Sequence, residues 1–203
     1  MDELLAGIDK EFCDSDGSLR IVGANWFGDE LRFDLAVLMC EEKETELWKI
    51  HCGQVFDERL CSEFAETITL SDDSPLLIPY HDNEIQIAFA ENNVSPNELF
   101  GLITSACYEI MGPSVDLSRF LNQQLSSKGI CSSKYGILGR FPERIAKKLL
   151  SDLADHDIKA KMLEGFSPKY WTGSVYIPYP TNIKALSIGS SYIIGTKFSA
   201  NQA

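Results

Sequence analysis

At 203 residues the chain is long enough to bury a sizeable core, and 44% apolar with 24% charged residues is ordinary globular composition. The net charge of -12 is not ordinary: residues 1–100 carry 23 acids against 6 bases, whereas residues 101–203 carry 7 against 12. Such an acidic field repels nucleic acid and attracts basic surfaces, and no apolar run approaches the 18 residues of a membrane-crossing helix.

In chain order, Leu4, Leu5, Ile8 and Phe12 recur at helical spacing and predict a helix from Asp2 to Phe12. Met1-Asp2-Glu3 is acidic where a secretory leader is basic, so the expected compartment is the cytoplasm. Ser18 to Trp26 reads as a strand, and Phe27-Gly28-Asp29-Glu30 as a hairpin turn. Leu31, Phe33, Leu35, Val37 and Met39 then alternate with Arg32, Asp34, Ala36, Leu38 and Cys40, the clearest period of two in the chain. After the charged loop Glu41-Glu42-Lys43-Glu44-Thr45, a strand returns from Glu46 to Cys52 with Trp48, Ile50 and Cys52 on one face. Gly53 interrupts it, and Gln54 to Leu60 continues. The stretch Asp29–Arg59 is therefore expected to form a sheet with an apolar inner face and an acidic outer face. Phe64 to Leu70 and Glu84 to Ala90 add strands, and the short connections imply antiparallel order.

The period then changes. Ser95-Pro96-Asn97-Glu98 is a helix start, with Ser as N-cap and Pro at the first helical position. Leu99, Phe100, Ile103, Ala106, Cys107 and Ile110 form its apolar face, Gly112-Pro113 stops it, and it is expected to cover Leu31–Met39. Leu117 to Leu125 predicts a shorter helix and Ser126 to Lys134 a polar connection. Pro142 opens a helix over Glu143–His156, with Ile145, Ala146, Leu149, Leu150 and Leu153 as its buried stripe. Ile158–Leu163 and Trp171–Ile177 read as strands, and a last hairpin turns at Gly189-Ser190. Ile78-Pro79-Tyr80-His81-Asp82-Asn83 is echoed by Ile177-Pro178-Tyr179-Pro180-Thr181-Asn182, six positions being too few for a repeat. The expected fold is one α+β domain over 1–203: an antiparallel sheet, built from an N-terminal meander and C-terminal strands, packed against two or three helices. Any subdivision is expected near 112, between an acidic strand-rich half (1–112) and a mildly basic half (113–203).

His51, His81 and His156 and the six cysteines Cys13, Cys40, Cys52, Cys61, Cys107 and Cys131 never fall in a zinc spacing, so no metal or cofactor is expected. Cys52 or Cys61 could pair with His81, but nothing local marks an activated thiol, and scattered cysteines read as core residues. Gly136-Ile137-Leu138-Gly139-Arg140 places two glycines and a cation before a helix start. This suggests an anion site at Arg140 and Arg144, against the plainer reading of a strand-to-helix turn. The back-half cations are too sparse, and too poor in interleaved aromatics, for direct nucleic-acid binding. Each carboxylate alone reads as solvated surface. Together they suit a protein that associates with a basic partner, through Glu41, Glu42, Glu44, Glu46, Asp57 and Glu58. Trp48 or Phe56 would be the aromatic anchor, with core packing as the competing reading of Trp48.

Three stretches carry a resemblance. Leu47-Trp48-Lys49-Ile50 with Ser74-Pro75-Leu76-Leu77-Ile78-Pro79-Tyr80, then Tyr135-Gly136-Ile137-Leu138-Gly139-Arg140-Phe141-Pro142-Glu143, then Ile188-Gly189-Ser190-Ser191-Tyr192-Ile193-Ile194 resemble a pattern in small acidic bacterial proteins of unknown function. Some of those are regarded as immunity proteins of polymorphic toxin systems. The motifs are turns and core strands, so the resemblance transfers no site. With the charge, it implies an acidic cytoplasmic protein-binding module, an inhibitor, immunity protein or DNA mimic. Its partner would be a basic protein such as a toxin, a nuclease or a nucleic-acid-binding enzyme. Two readings stand beside it: a small enzyme with a pocket between sheet and helices, and a structural or assembly subunit.

Overall fold

The computed structural model describes residues 1–12, 17–38, 45–113 and 116–203. It is α+β with antiparallel sheets, as the alternation and capping signals imply. The chain divides into two compact units: residues 1–77 with 180–203, and the continuous segment 78–179. The division falls at 77/78 and 179/180 rather than near 112, because the strands after 180 return to pair with those before 72.

The first unit opens with α1 (Asp2–Phe12). A four-stranded sheet has the order β1 (Ser18–Phe27), β2 (Glu30–Leu38), β3 (Glu46–Gly53), β13 (Lys197–Gln202). A second has the order β4 (Asp57–Arg59), β12 (Ser191–Gly195), β11 (Lys184–Ile188), β5 (Ile68–Ser71). Leu31, Phe33, Leu35, Val37, Ile50 and Cys52 from the first sheet share one core with Ile68, Leu186, Ile188 and Ile193 from the second, and with Leu4 and Ile8 of α1. Gly28 takes φ 69°, while Asp29 is not among the positive-φ residues, which is the pattern of a two-residue type II′ hairpin between β1 and β2.

The outer face of β2 and β3 was expected to be acidic, but its charge is mixed. Arg32 lies opposite His51 and Asp34 opposite Lys49, and Arg20 and Lys197 share that face. Alternation fixes which residues point outward but says nothing about the sign of their charge. The predicted Phe64–Leu70 strand shortens to β5, because Ala65 instead bridges to Leu19 and leaves Phe64 exposed.

The second unit is a three-stranded sheet of order β7 (Tyr135–Pro142), β6 (Glu84–Ala90), β8 (Lys159–Phe166). Ahead of β6 lies the single-turn α2 (Ile78–His81). One sheet face, with Ile85, Ile87, Phe89, Leu138 and Phe141, packs against α3 (Pro96–Met111) and α5 (Glu143–Asp155). Helix α3 does not cover Leu31–Met39. Its buried residues Leu99, Ile103, Ala106, Cys107 and Met111 belong to the core of this unit. The Ser95 hydroxyl accepts the Glu98 N–H at 3.2 Å, and the Gly112 N–H closes the other end on Tyr108.

Two local readings change here. Leu117–Arg119 is a single 3₁₀ turn rather than the start of a longer helix, and the expected polar connection contains α4 (Ser127–Ser132), capped by Ser126. Residues 171–177 form no continuous strand. They span a hairpin of β9 (Lys169–Trp171) and β10 (Tyr176–Pro178), turned by Gly173 at φ 96° with the Thr172 hydroxyl accepting the Val175 N–H. Among the described residues no helix is long and apolar enough to cross a membrane.

Candidate functional site

The hairpin β1–β2 ends at a rim where the chain crosses from one sheet of the first unit to the other. The Val55 N–H donates to the Asp29 carbonyl at 3.2 Å, so the crossover Gly53–Phe56 lies against the hairpin turn. Gln54 absorbs the change of direction at φ 51°. The Phe56 N–H donates to Ile194 and starts β4, whose Asp57 and Glu58 lie half-buried on a sheet edge. On the hairpin side Trp26 and Phe27 are about half exposed, at 48% and 55%. The Arg32 guanidinium sits 4.6 Å over the Phe27 ring and 2.8 Å from the Glu30 carboxylate, whose pKa it lowers by hydrogen bonding and charge. Asp29 and Glu30 thus sit at the turn beside two exposed aromatic residues, and the crossover that leads to Asp57 and Glu58 packs against that turn.

The candidates read from sequence are placed as follows. Glu41, Glu42 and Glu44 lie outside the described residues. Glu46 accepts the Trp48 indole N–H at 3.0 Å. Trp48 itself is 7% exposed and belongs to the core, so it cannot anchor a partner. Phe56 is half-buried beside Asp57 and Glu58. The exposed pair Trp26 and Phe27 is not among the residues that the sequence pointed to. The trace it leaves in the sequence is an aromatic pair immediately before the turn glycine Gly28.

Among the described residues, three cysteines are buried thiols. Burial pushes Cys52 and Cys107 up to about 12 and raises Cys131, so the protonated form is favoured. No group of three or more metal-ligating side chains comes together among the described residues.

The second unit holds a cleft of about 460 Å³ on the sheet face opposite its helices. Glu84, Gln86, Ile137, Arg140 and Pro142 form its floor, and residues 119–124 its wall. Leu121 bridges to Gly139, the Arg140 N–H donates to Phe120 at 2.8 Å, and the Asn122 N–H donates to Leu138 at 2.9 Å. Gly139 makes this approach feasible, since a Cβ there would collide with the Phe120 carbonyl oxygen. Arg119 donates to the Tyr80 hydroxyl at 3.0 Å and stacks on its ring at 4.9 Å. Arg140 lies 5.6 Å over Phe166. Arg144 points to other work: its guanidinium pairs with Asp82 at 3.1 Å, and its N–H donates to the same carboxylate, which caps α5.

In comparisons with known proteins, no family model, curated protein or solved structure matches the chain.

Proposed function

We propose that the protein is a binding module of the inhibitor or immunity type, which uses the rim of its first unit to mask a basic surface on a partner such as a toxin, nuclease or nucleic-acid-binding enzyme. The observation that carries this reading is where the charge resides. Residues 1–77 with 180–203 hold 19 acids against 8 bases, whereas 78–179 hold 11 against 10. Almost all of the net charge of -12 therefore belongs to one unit. A one-sign surface speeds encounter with an oppositely charged partner and discourages others. Exposed aromatics beside the acids supply what charge cannot, a desolvated contact that slows dissociation. Trp26 and Phe27 meet that need at the turn, and Asp29, Asp57 and Glu58 supply charge along the same rim.

The test pairs capture with charge reversal. A basic protein captured from the native host should be retained at low salt and released as salt rises. Its association rate with a triple variant, Asp29→Lys with Asp57→Lys and Glu58→Lys, should fall about tenfold or more. Trp26→Ala should mainly raise the dissociation rate. Unchanged association with the triple variant, or a partner without a basic surface, would sink the proposal.

A further inference from the structure

The cleft of the second unit has a chemistry that the acidic rim does not explain. We propose that it is a binding site for a small organic oxyanion, a ligand bearing a carboxylate or phosphate headgroup. Two arginines line it, Arg119 and Arg140, with Glu84 as the acidic residue among its lining residues. Arg140 is the decisive one. The cations that follow it on α5 are committed: Arg144 to Asp82, Lys147 to Glu143, Lys148 to Glu109 and Asp152. Arg140 forms no ion pair among the described residues, and its guanidinium carbon lies 5.6 Å over the Phe166 ring. A guanidinium without a carboxylate partner keeps its N–H fork for an oxyanion, which it can receive in two parallel hydrogen bonds.

Size and lining define the rest of the ligand. A volume of about 460 Å³ is that of a small-molecule pocket and exceeds what a bare phosphate fills. Gln86, directly opposite Arg140 in the ladder, can both donate to and accept from a polar body. Glu84 lies diagonally across from Arg140, one pair further along. At that spacing, ~7–8 Å, it weakens anion binding without neutralising the arginine. The site is therefore tuned for modest affinity, and removing Glu84 should tighten it.

The test is an NMR titration of the full chain with inorganic phosphate and with succinate, each against chloride at matched ionic strength. Saturable shifts at Gln86, Asn122 and Arg140 are expected for at least one anion, and the anion that saturates identifies the headgroup class. Arg140→Gln should weaken that binding about tenfold. Glu84→Gln should strengthen it about threefold, a gain that misfolding cannot mimic. Lys147→Gln, whose lysine is paired with Glu143 and does not line the cleft, should leave it unchanged. Absence of saturation with both anions overturns the proposal, as does equal binding by wild type, Arg140→Gln and Glu84→Gln.

Discussion

At the scale of single residues, the least expected device is Asn92, 8% exposed between β6 and α3. Its amide donates to the carbonyls of Cys131 and Ser133 at 3.1 and 3.0 Å, and its side-chain oxygen accepts the Val94 N–H at 3.3 Å. Its own backbone N–H donates to Lys134. One side chain thus satisfies the end of α4 and shapes the entry to α3. Asn92→Ala removes three bonds and leaves buried carbonyls without a donor, so a loss of about 2 to 4 kcal/mol is expected in urea unfolding. Asn92→Asp should also fail to rescue, because a carboxylate cannot donate to either carbonyl. A loss below about 0.5 kcal/mol for the alanine variant would show that solvent replaces those bonds. Nothing in the sequence flagged Asn92, which reads as an ordinary loop residue. Trp48 shows the opposite case. Its alternation with Ile50 and Cys52 announced core packing, and its exposure of 7% agrees with that plainer reading.

At the scale of elements, the wall of the cleft depends on a glycine. Gly139→Ala would drive a methyl group into the Phe120 carbonyl, so residues 119–124 must move away from β7. Overpacking and loss of the Phe120–Arg140 and Leu138–Asn122 backbone bonds together predict a cost of about 2 to 4 kcal/mol. Amides of 120–122 should then exchange hydrogen much faster than those of α5. Gly136→Ala serves as a comparison, since its added carbon meets a side-chain atom of Phe89 at 3.6 Å, although its φ of 153° brings backbone strain of its own. If protection at 120–122 survives in Gly139→Ala, the wall is not held by this close approach. The elements legible in advance were those with a local signature. Ser95-Pro96 with Gly112 bounded α3, and strict alternation marked β2, β3 and β6. The wall had none. Leu117–Leu125 is apolar enough to suggest a helix, but its structure is set by pairing with a strand distant in sequence. The cleft was legible only as Gly139-Arg140, because its other residues converge from β6 and from 119–124.

At the scale of the whole molecule, the second unit is one uninterrupted segment inserted between β5 and β11 of the first. The echo between Ile78-Pro79-Tyr80 and Ile177-Pro178-Tyr179 now has a meaning, since the two triplets are its ends. The rings of Tyr80 and Tyr179 meet edge to face with centroids 5.0 Å apart, and Tyr170 packs on Tyr179 at 5.2 Å. Adjacent ends and a private core are the marks of a domain able to fold alone. The core that holds Ile87, Leu99, Ile103, Leu138, Phe141 and Leu149 draws every member from within 78–179. The segment 78–179, produced by itself, should therefore melt cooperatively and give a dispersed amide spectrum. With 11 acids against 10 bases it should also leave an anion exchanger at far lower salt than the full chain. Tyr179→Ala should destabilise the isolated segment by about 1 kcal/mol or more, because the aromatic contact closing its ends is lost. A fragment with helical far-UV signal but no cooperative melt would mean that its ends are held together by the first unit and not by their own tyrosines.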